Sequence, residues 1–298
     1  MTHSLPTVFT AADALAYGIT RNQLRGNTYS QVFWGVYTTS DPTDLSVRAL
    51  AALRLAGPNA LLSGVTVLKF LSVWLPQQLQ DDDHIHINIP PDTCGPQKHP
   101  IIVTRSKTVL EPIELWDVLG LMGAHPAQAW LQAASHSQLT LHDLVVAADA
   151  LMKRQHTLVL RSEFEYVLAC FPGRRGVKRA RQALAMAREG VDSPMETRLR
   201  LALIAAGLPC PEVNLPLRPR PDGPLFYLDM AYPHAKLAVE YDGVDHVNNR
   251  AQMQRDRTRR REIEDAGWRI ITATYADAPS WVQIIESVRA ALSARYGL

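Results

Sequence analysis

Four carboxylates in the last third of the chain have the types and spacing for phosphodiester chemistry. In LDMAYPHAKLAVEYDG, two apolar, period-2 flanks meet at a Tyr232-Pro233-His234-Ala235 turn, the pattern of a β-hairpin. Alternation places Ala238, Glu240 and Asp242 on one face, opposite Leu237, Val239 and Tyr241. A four-residue turn pairs Ala231 with Lys236, and so Asp229 with Ala238. Asp229 and Glu240 are then diagonal neighbours on that same face, roughly 7 Å apart at Cα. Asp229, Glu240 and Asp242 would repel one another in a half-buried setting and raise each other's pKa. A cation between them removes the conflict, and Asp229 and Glu240 are the expected ligands. Oxygen-only ligands suit Mg²⁺ or Mn²⁺. Such an ion polarises a phosphoryl oxygen and lowers the pKa of a bound water. The competing reading is a surface hairpin with salt-bridged acids.

Two further groups belong with this set. Ser193-Pro194-Met195-Glu196 reads as a capping box opening a helix to about Ala206. Glu196 is thus either a helix cap or a carboxylate leaning over the adjacent sheet. His246 follows the Gly243 turn, where a histidine beside an activated water would orient it or move its proton.

Cations gather at three places. The 255–261 stretch holds five arginines and one Asp, and its Arg257, Arg259 and Arg260 are candidates to meet a phosphate. Between Gly173 and Arg188 lie Arg174, Arg175, Lys178, Arg179, Arg181 and Arg188 with no acid among them, a candidate phosphate-tracking helix. In TRNQLR, Arg21 and Arg25 stand on a short helix and are either DNA contacts or plain solvated residues. His84 and His86 are spaced as a metal pair on a strand, but no third ligand is near in sequence, which favours an ordinary strand face.

These groups need elements to hold them. Thr10 to Tyr17 reads as a short capped helix, Gly18 as its stop, and Thr20 as the cap of a second helix from Arg21 to about Arg25. A β-rich stretch with a central Gly, Val32 to Thr38, follows. That order is a winged helix-turn-helix, placed at 1–43. A middle mixed α/β domain is expected over 44–160. It has helices at Leu45 to Ala56, Glu114 to Leu121, Ala127 to Ser135 and Leu141 to Met152, with strands at His84 to Ile89 and Ile101 to Thr104. A basic helical linker spans 161–192, and 193–298 ends with an arginine-rich helix and the strand WRIITAT.

Bulk properties set the frame: 298 residues suit two or three small domains, and 47% hydrophobic, 20% charged and a net charge of +2 describe a globular chain whose basic surface must be local; the mix of helices and strands above makes it multi-domain α/β. No signal peptide and no membrane-length apolar run are legible. Cys94, Cys170 and Cys210 are far apart and form no CxxC. No membrane partner and a cytoplasmic location are therefore expected.

The runs SPMETRLRLALIAAGLP, LDMAYPHAKLAVEYDGVDHV and DRTRRREIEDAGWRIITAT together resemble the DUF559 family of PD-(D/E)XK proteins, relatives of the very-short-patch repair endonucleases. The match covers about Ser193 to Thr274. More weakly, GITRNQLR, VFWGVYT and LHDLVVAADALMKR resemble a multi-domain form whose winged helix is similar to those of abortive-infection type IV antitoxins. The resemblance implies a PD-(D/E)XK core over 193–298, with metal carboxylates at Asp229 and Glu240. Glu196 falls on the family's helical acid, His246 on its loop histidine, and Asp256 and Arg259 on its D..R pair. The superfamily's usual lysine is replaced here by Asp242, which leaves His246 as the first choice to activate water. The function implied is a metal-dependent DNA endonuclease in repair or defence. The alternative is a non-catalytic DNA-binding regulator, antitoxin-like, and in either case a homodimer by analogy with winged-helix proteins.

Overall fold

The computed structural model describes residues 5–97, 99–116, 119–243, 250–278 and 280–296. Among them the fold is mixed α/β with three sheets. Strand β1 (Val8–Thr10) runs directly into helix α1 (Ala11–Ala16), because Thr10 ends one and caps the other. Its hydroxyl accepts the Asp13 N–H while the Asp13 carboxylate accepts the Thr10 N–H. Gly18, at φ +78°, turns the chain, and Thr20 with Gln23 repeats the same reciprocal cap ahead of α2 (Arg21–Leu24). Strands β2 (Ser30–Phe33) and β3 (Val36–Thr38) follow around Trp34-Gly35, and the antiparallel order is β1-β3-β2.

Asp44 caps α3 (Leu45–Ala56), as its side chain accepts the Ser46 N–H at 2.7 Å. Next come β4 (Leu61–Leu62), α4 (Gly64–Phe70), α5 (Gln77–Gln80), β5 (Ile85–Ile89), β6 (Ile101–Arg105), β7 (Ile113–Trp116) and β8 (Leu121–Gly123). They form a mixed sheet ordered β6-β5-β4-β8-β7. The helix expected over Glu114 to Leu121 is a strand pair instead, with Ile113 opposite Gly123 and Glu114 opposite Met122. A short apolar run does not distinguish helix from strand by period. Pairing of β8 with β4 at Leu62 and Gly123 decides it, by giving this backbone partners that an isolated helical turn would lack. Val8, Phe33 and Val36 share one core with α3 and Ile85, Ile87 and Ile89, so the segments 1–43 and 44–139 are not packed separately.

Helices α6 (Pro126–Ala133), α7 (Leu141–Leu151), α8 (Arg161–Cys170), α9 (Val177–Met186) and α10 (Pro194–Ala205) lead to the C-terminal part. The chain condenses into two compact units, Met1–Leu139 with Ser162–Ala180, and Thr140–Arg161 with Arg181–Leu298. Helix α7 therefore belongs with the C-terminal unit, although its sequence position suggested the middle region. The reason is a fully buried ion pair. Arg200 of α10 donates to Asp149 of α7 at 2.6 Å, and the Thr197 hydroxyl and Arg188 N–H both bond the same carboxylate at 2.8 Å.

In that unit β9 (Glu212–Leu217), β10 (Phe226–Tyr232), β11 (Leu237–Asp242) and β12 (Arg269–Thr274) form the sheet β12-β11-β10-β9. Strands β11 and β12 are parallel because α11 (Arg250–Asp265) crosses between them. Leu237 and Val239 pack with Leu199 and Leu203 of α10 and Ile284 and Val288 of α12 (Val282–Tyr296). Ala231, Ala238 and Ile270 pack with Ile263 of α11. The sheet is thus covered on both faces, and alternation sorts its side chains as expected. Among the described residues no helix is long and apolar enough to cross a membrane.

Candidate functional site

The β10–β11 hairpin differs from its expected register in an informative way. The turn is Pro233 to Lys236, with Lys236 left-handed at φ +46°, and Tyr232 pairs with Leu237 and Ala231 with Ala238. Tyr232 is drawn into the strand because its ring is buried and its hydroxyl donates to the Pro209 carbonyl at 3.0 Å. The shift is even, so the faces are kept, but Asp229 now stands in line with Glu240 instead of diagonal to it. The paired ladder ends one step earlier, at Met230 and Val239. Beyond it β10 stays with β9 and β11 stays with β12, so the sheet parts between Asp229 and Glu240. The Tyr241 N–H donates at this fork to the Asp229 carboxylate at 2.9 Å.

The electrostatics follow from this crowding. Burial above all, then the neighbouring Glu196, push the Asp229 carboxyl up to about 7; Glu240 adds to the rise, and the Tyr241 N–H and Arg259 oppose it. Burial also raises the Glu196 carboxyl. Ser193 accepts the Glu196 N–H at 3.2 Å, and the Glu196 carboxylate accepts the Asp192 N–H at 3.2 Å. The full capping box does not form, because the Glu196 carboxylate takes the Asp192 N–H and not that of Ser193; its charge meanwhile bears on Asp229.

Glu240 is gripped by Arg259, whose guanidinium donates to its two oxygens at 2.9 and 2.7 Å and to the Tyr227 carbonyl at 2.8 Å. A cavity of about 360 Å³ opens beside this pair, and its walls include Asp229, Glu240, Asp242, Arg257, Arg259 and Arg260. Asp256, also in this wall, comes from the same helix as the arginines. Arg260 is tethered to Glu264 at 3.0 Å and to the Thr272 hydroxyl at 3.2 Å. Thr272 completes the wall and was not singled out in the sequence; its place between Ile271 and Ala273 in WRIITAT puts it on the Glu240 side by strand alternation. His246 lies in 244–249, outside the described residues.

The other sequence candidates lie outside this cavity. Arg21 and Arg25 are exposed on and just after α2, and Arg175 and Lys178 are exposed at the start of α9. Arg174 is half-buried, its guanidinium 5.8 Å from the centre of the Phe171 ring. Arg179 is turned inward: it donates to the carbonyls of Ala134 at 3.2 Å, His136 at 3.3 Å and Leu139, closing the end of α6.

Chemically, the fork offers two carboxylates, Asp229 and Glu240, and the cavity three guanidinium groups. Asp229 and Glu240 offer oxygen donors of the type a hard divalent ion takes, and burial first, with the neighbouring Glu196 second, holds the Asp229 carboxyl up. Arg259 already neutralises part of that charge.

The chain is 33% identical over 151 residues to each of two uncharacterized proteins of Mycobacterium tuberculosis, MT2308 of strain CDC 1551 / Oshkosh and Rv2248 of strain ATCC 25618 / H37Rv. The alignment covers 51% of this chain and 55% of each relative, so the chain spans about half the length of the curated relatives it matches. No family model matches the chain. No solved structure matches it either.

Proposed function

We propose that the C-terminal unit is a metal-dependent endonuclease acting on DNA, of the DUF559 type within the PD-(D/E)XK group. The observation that carries the reading is the fork itself: Asp229 and Glu240 stand in line where β10 and β11 part, Glu196 bears on Asp229, and a cavity walled by Arg257, Arg259 and Arg260 lies alongside. Asp229 and Glu240 would hold Mg²⁺ or Mn²⁺, which supplies a polarised phosphoryl oxygen and an activated water. The arginines bind and orient the phosphate, and stabilise the charge that gathers on its oxygens. Arg259 also fixes the rotamer of Glu240 through its two bonds. The N-terminal three-stranded element, read as a winged helix, and the exposed Arg175 and Lys178 supply contacts to the DNA backbone.

A second reading has an observation of its own. The paired bonds from Arg259 give Glu240 a cation without any metal, which suits a DNA-binding regulator on a nuclease-derived scaffold. The deciding experiment is cleavage of supercoiled plasmid and of single-stranded and branched oligonucleotides with Mg²⁺, Mn²⁺ or EDTA. The nuclease reading expects metal-dependent cutting that Asp229→Asn and Glu240→Gln abolish while DNA affinity stays within a few-fold. Tight duplex binding with no cutting on any substrate would give the site to the regulator.

A further inference from the structure

A second group of ligand-type side chains lies in the N-terminal unit, far in sequence from the carboxylate fork. Asp82 precedes β5, His86 is on it, and His136 follows α6; one ligand atom from each falls within 4.8 Å of the others. The His84–His86 pair that the spacing allowed, but the sequence did not favour, does not form. Strand β5 begins at Ile85, and the His84 ring turns to Asp82 at 2.5 Å, while the His86 ring sits 5.9 Å from that of His136.

We propose that Asp82, His86 and His136 bind a divalent transition-metal ion of the zinc type, with the remaining position left to water. Two imidazoles and one carboxylate select such an ion over Mg²⁺, which prefers oxygen alone. Tetrahedral N/O ligands about 2.1 Å from zinc are ~3.4 Å apart, so a small rotamer adjustment contracts the present group onto an ion.

The independent observation is at His86. Its Nε2 is shut off from solvent and has no hydrogen-bond partner, a loss that buried polar atoms rarely bear. The His86 N–H donates to the Thr66 hydroxyl at 2.8 Å, which fixes the strand at that point.

The partners are arranged accordingly. One oxygen of Asp82 takes both the His84 N–H, at 3.1 Å, and the His84 ring, leaving the other for an ion; His84 then orients the ligand from behind. The His136 Nδ1 accepts the Gln138 N–H at 3.3 Å, a long bond. The backbone of His136 is held by Arg179, and Gly176 allows that approach. A Cβ at Gly176 would come within 2.7 Å of the Ala134 backbone. Lys69 places a like charge nearby, bonded to the Asp82 carbonyl at 2.5 Å, and is offset by Asp81, Asp82 and Asp83.

The test is calorimetric titration of the untagged, EDTA-stripped full chain with Zn²⁺, carrying Glu240→Gln alone or together with Asp82→Asn or His136→Gln. The Glu240→Gln chain, with the carboxylate fork disabled, should still take up one saturable equivalent, and adding Asp82→Asn or His136→Gln to it should weaken that binding at least about 10-fold. Ring ¹⁵N resonances of His86 and His136 in wild type should move on metal addition, a reading that needs no variant to fold. A Glu240→Gln chain without a saturable site, added site substitutions that leave its binding unchanged, or unmoved His86 and His136 resonances would overturn the assignment.

Discussion

Arg259 closes on Glu240 through two parallel bonds, 2.9 Å and 2.7 Å, from one turn of α11 to the fork end of β11. Burial opposes the charge on Arg259, and Glu240 more than restores it. Arg259 and an incoming cation therefore draw on the same carboxylate. Arg259→Ala should bind Mn²⁺ several-fold more tightly than wild type, by titration with Mn²⁺ as a paramagnetic probe. Weaker binding would mean instead that Arg259 holds Glu240 in place for the ion. Arg259→Lys should restore neither geometry nor charge placement, since an ammonium cannot make the paired contact.

The Asp229 carboxyl gives the stability of the chain a signed pH dependence. Its folded value, about 7, lies above the ordinary 3.8, so the folded state holds a proton that the unfolded state has released. Stability is fully present below about pH 4 as far as this group is concerned, and is lost as pH rises from 4 to 7, on the order of 4 kcal/mol. His86, held at about 4 against 6.5, acts with the opposite sign over the same range. The difference between wild type and Asp229→Asn isolates the acid: thermal melts should show the variant gaining on wild type from pH 4 to 7. Mg²⁺ at pH 8 should raise the wild-type melting temperature and leave Asp229→Asn unmoved. A constant difference across pH would show that Asp229 titrates normally.

The basic residues around α9 divide by what they touch. Arg175→Ala with Lys178→Ala should weaken duplex binding and lower the slope of log affinity against log salt by about 2, with no change in melting temperature. Arg179→Ala should instead lower the melting temperature, because three carbonyls at the end of α6 lose their donor. An Arg179 variant that melts normally but loses DNA affinity would reverse this division.

Asp149 and Arg200 are buried side by side, at 1% and 0% side-chain exposure. Removal of one partner leaves the other as an unpaired interior charge. Asp149→Ala should cost about 3–5 kcal/mol in urea unfolding. A loss below about 1 kcal/mol would mean that water reaches Arg200.

Local pattern determined a good part of this protein. Thr10, Thr20 and Ser193 announce their helices because a hydroxyl reaches a backbone N–H only a few residues away. Alternation in β11 puts Glu240 opposite Leu237 and Val239 whatever the strand later pairs with. Other features depend on partners remote in sequence. The step from a diagonal to an in-line Asp229 and Glu240 was settled by burial of Tyr232 and its bond to Pro209. The segment after Ile113 became strands because β8 found β4. Asp82, His86 and His136 come together only when β5 and α6 pack into one unit, since the two histidines lie 50 positions apart in the chain. Helix α7 joined the C-terminal unit because Asp149 has its cation on α10. Caps and faces are set by the nearest few residues, whereas register, ligand sets and buried charge pairs need contacts that only the folded chain supplies.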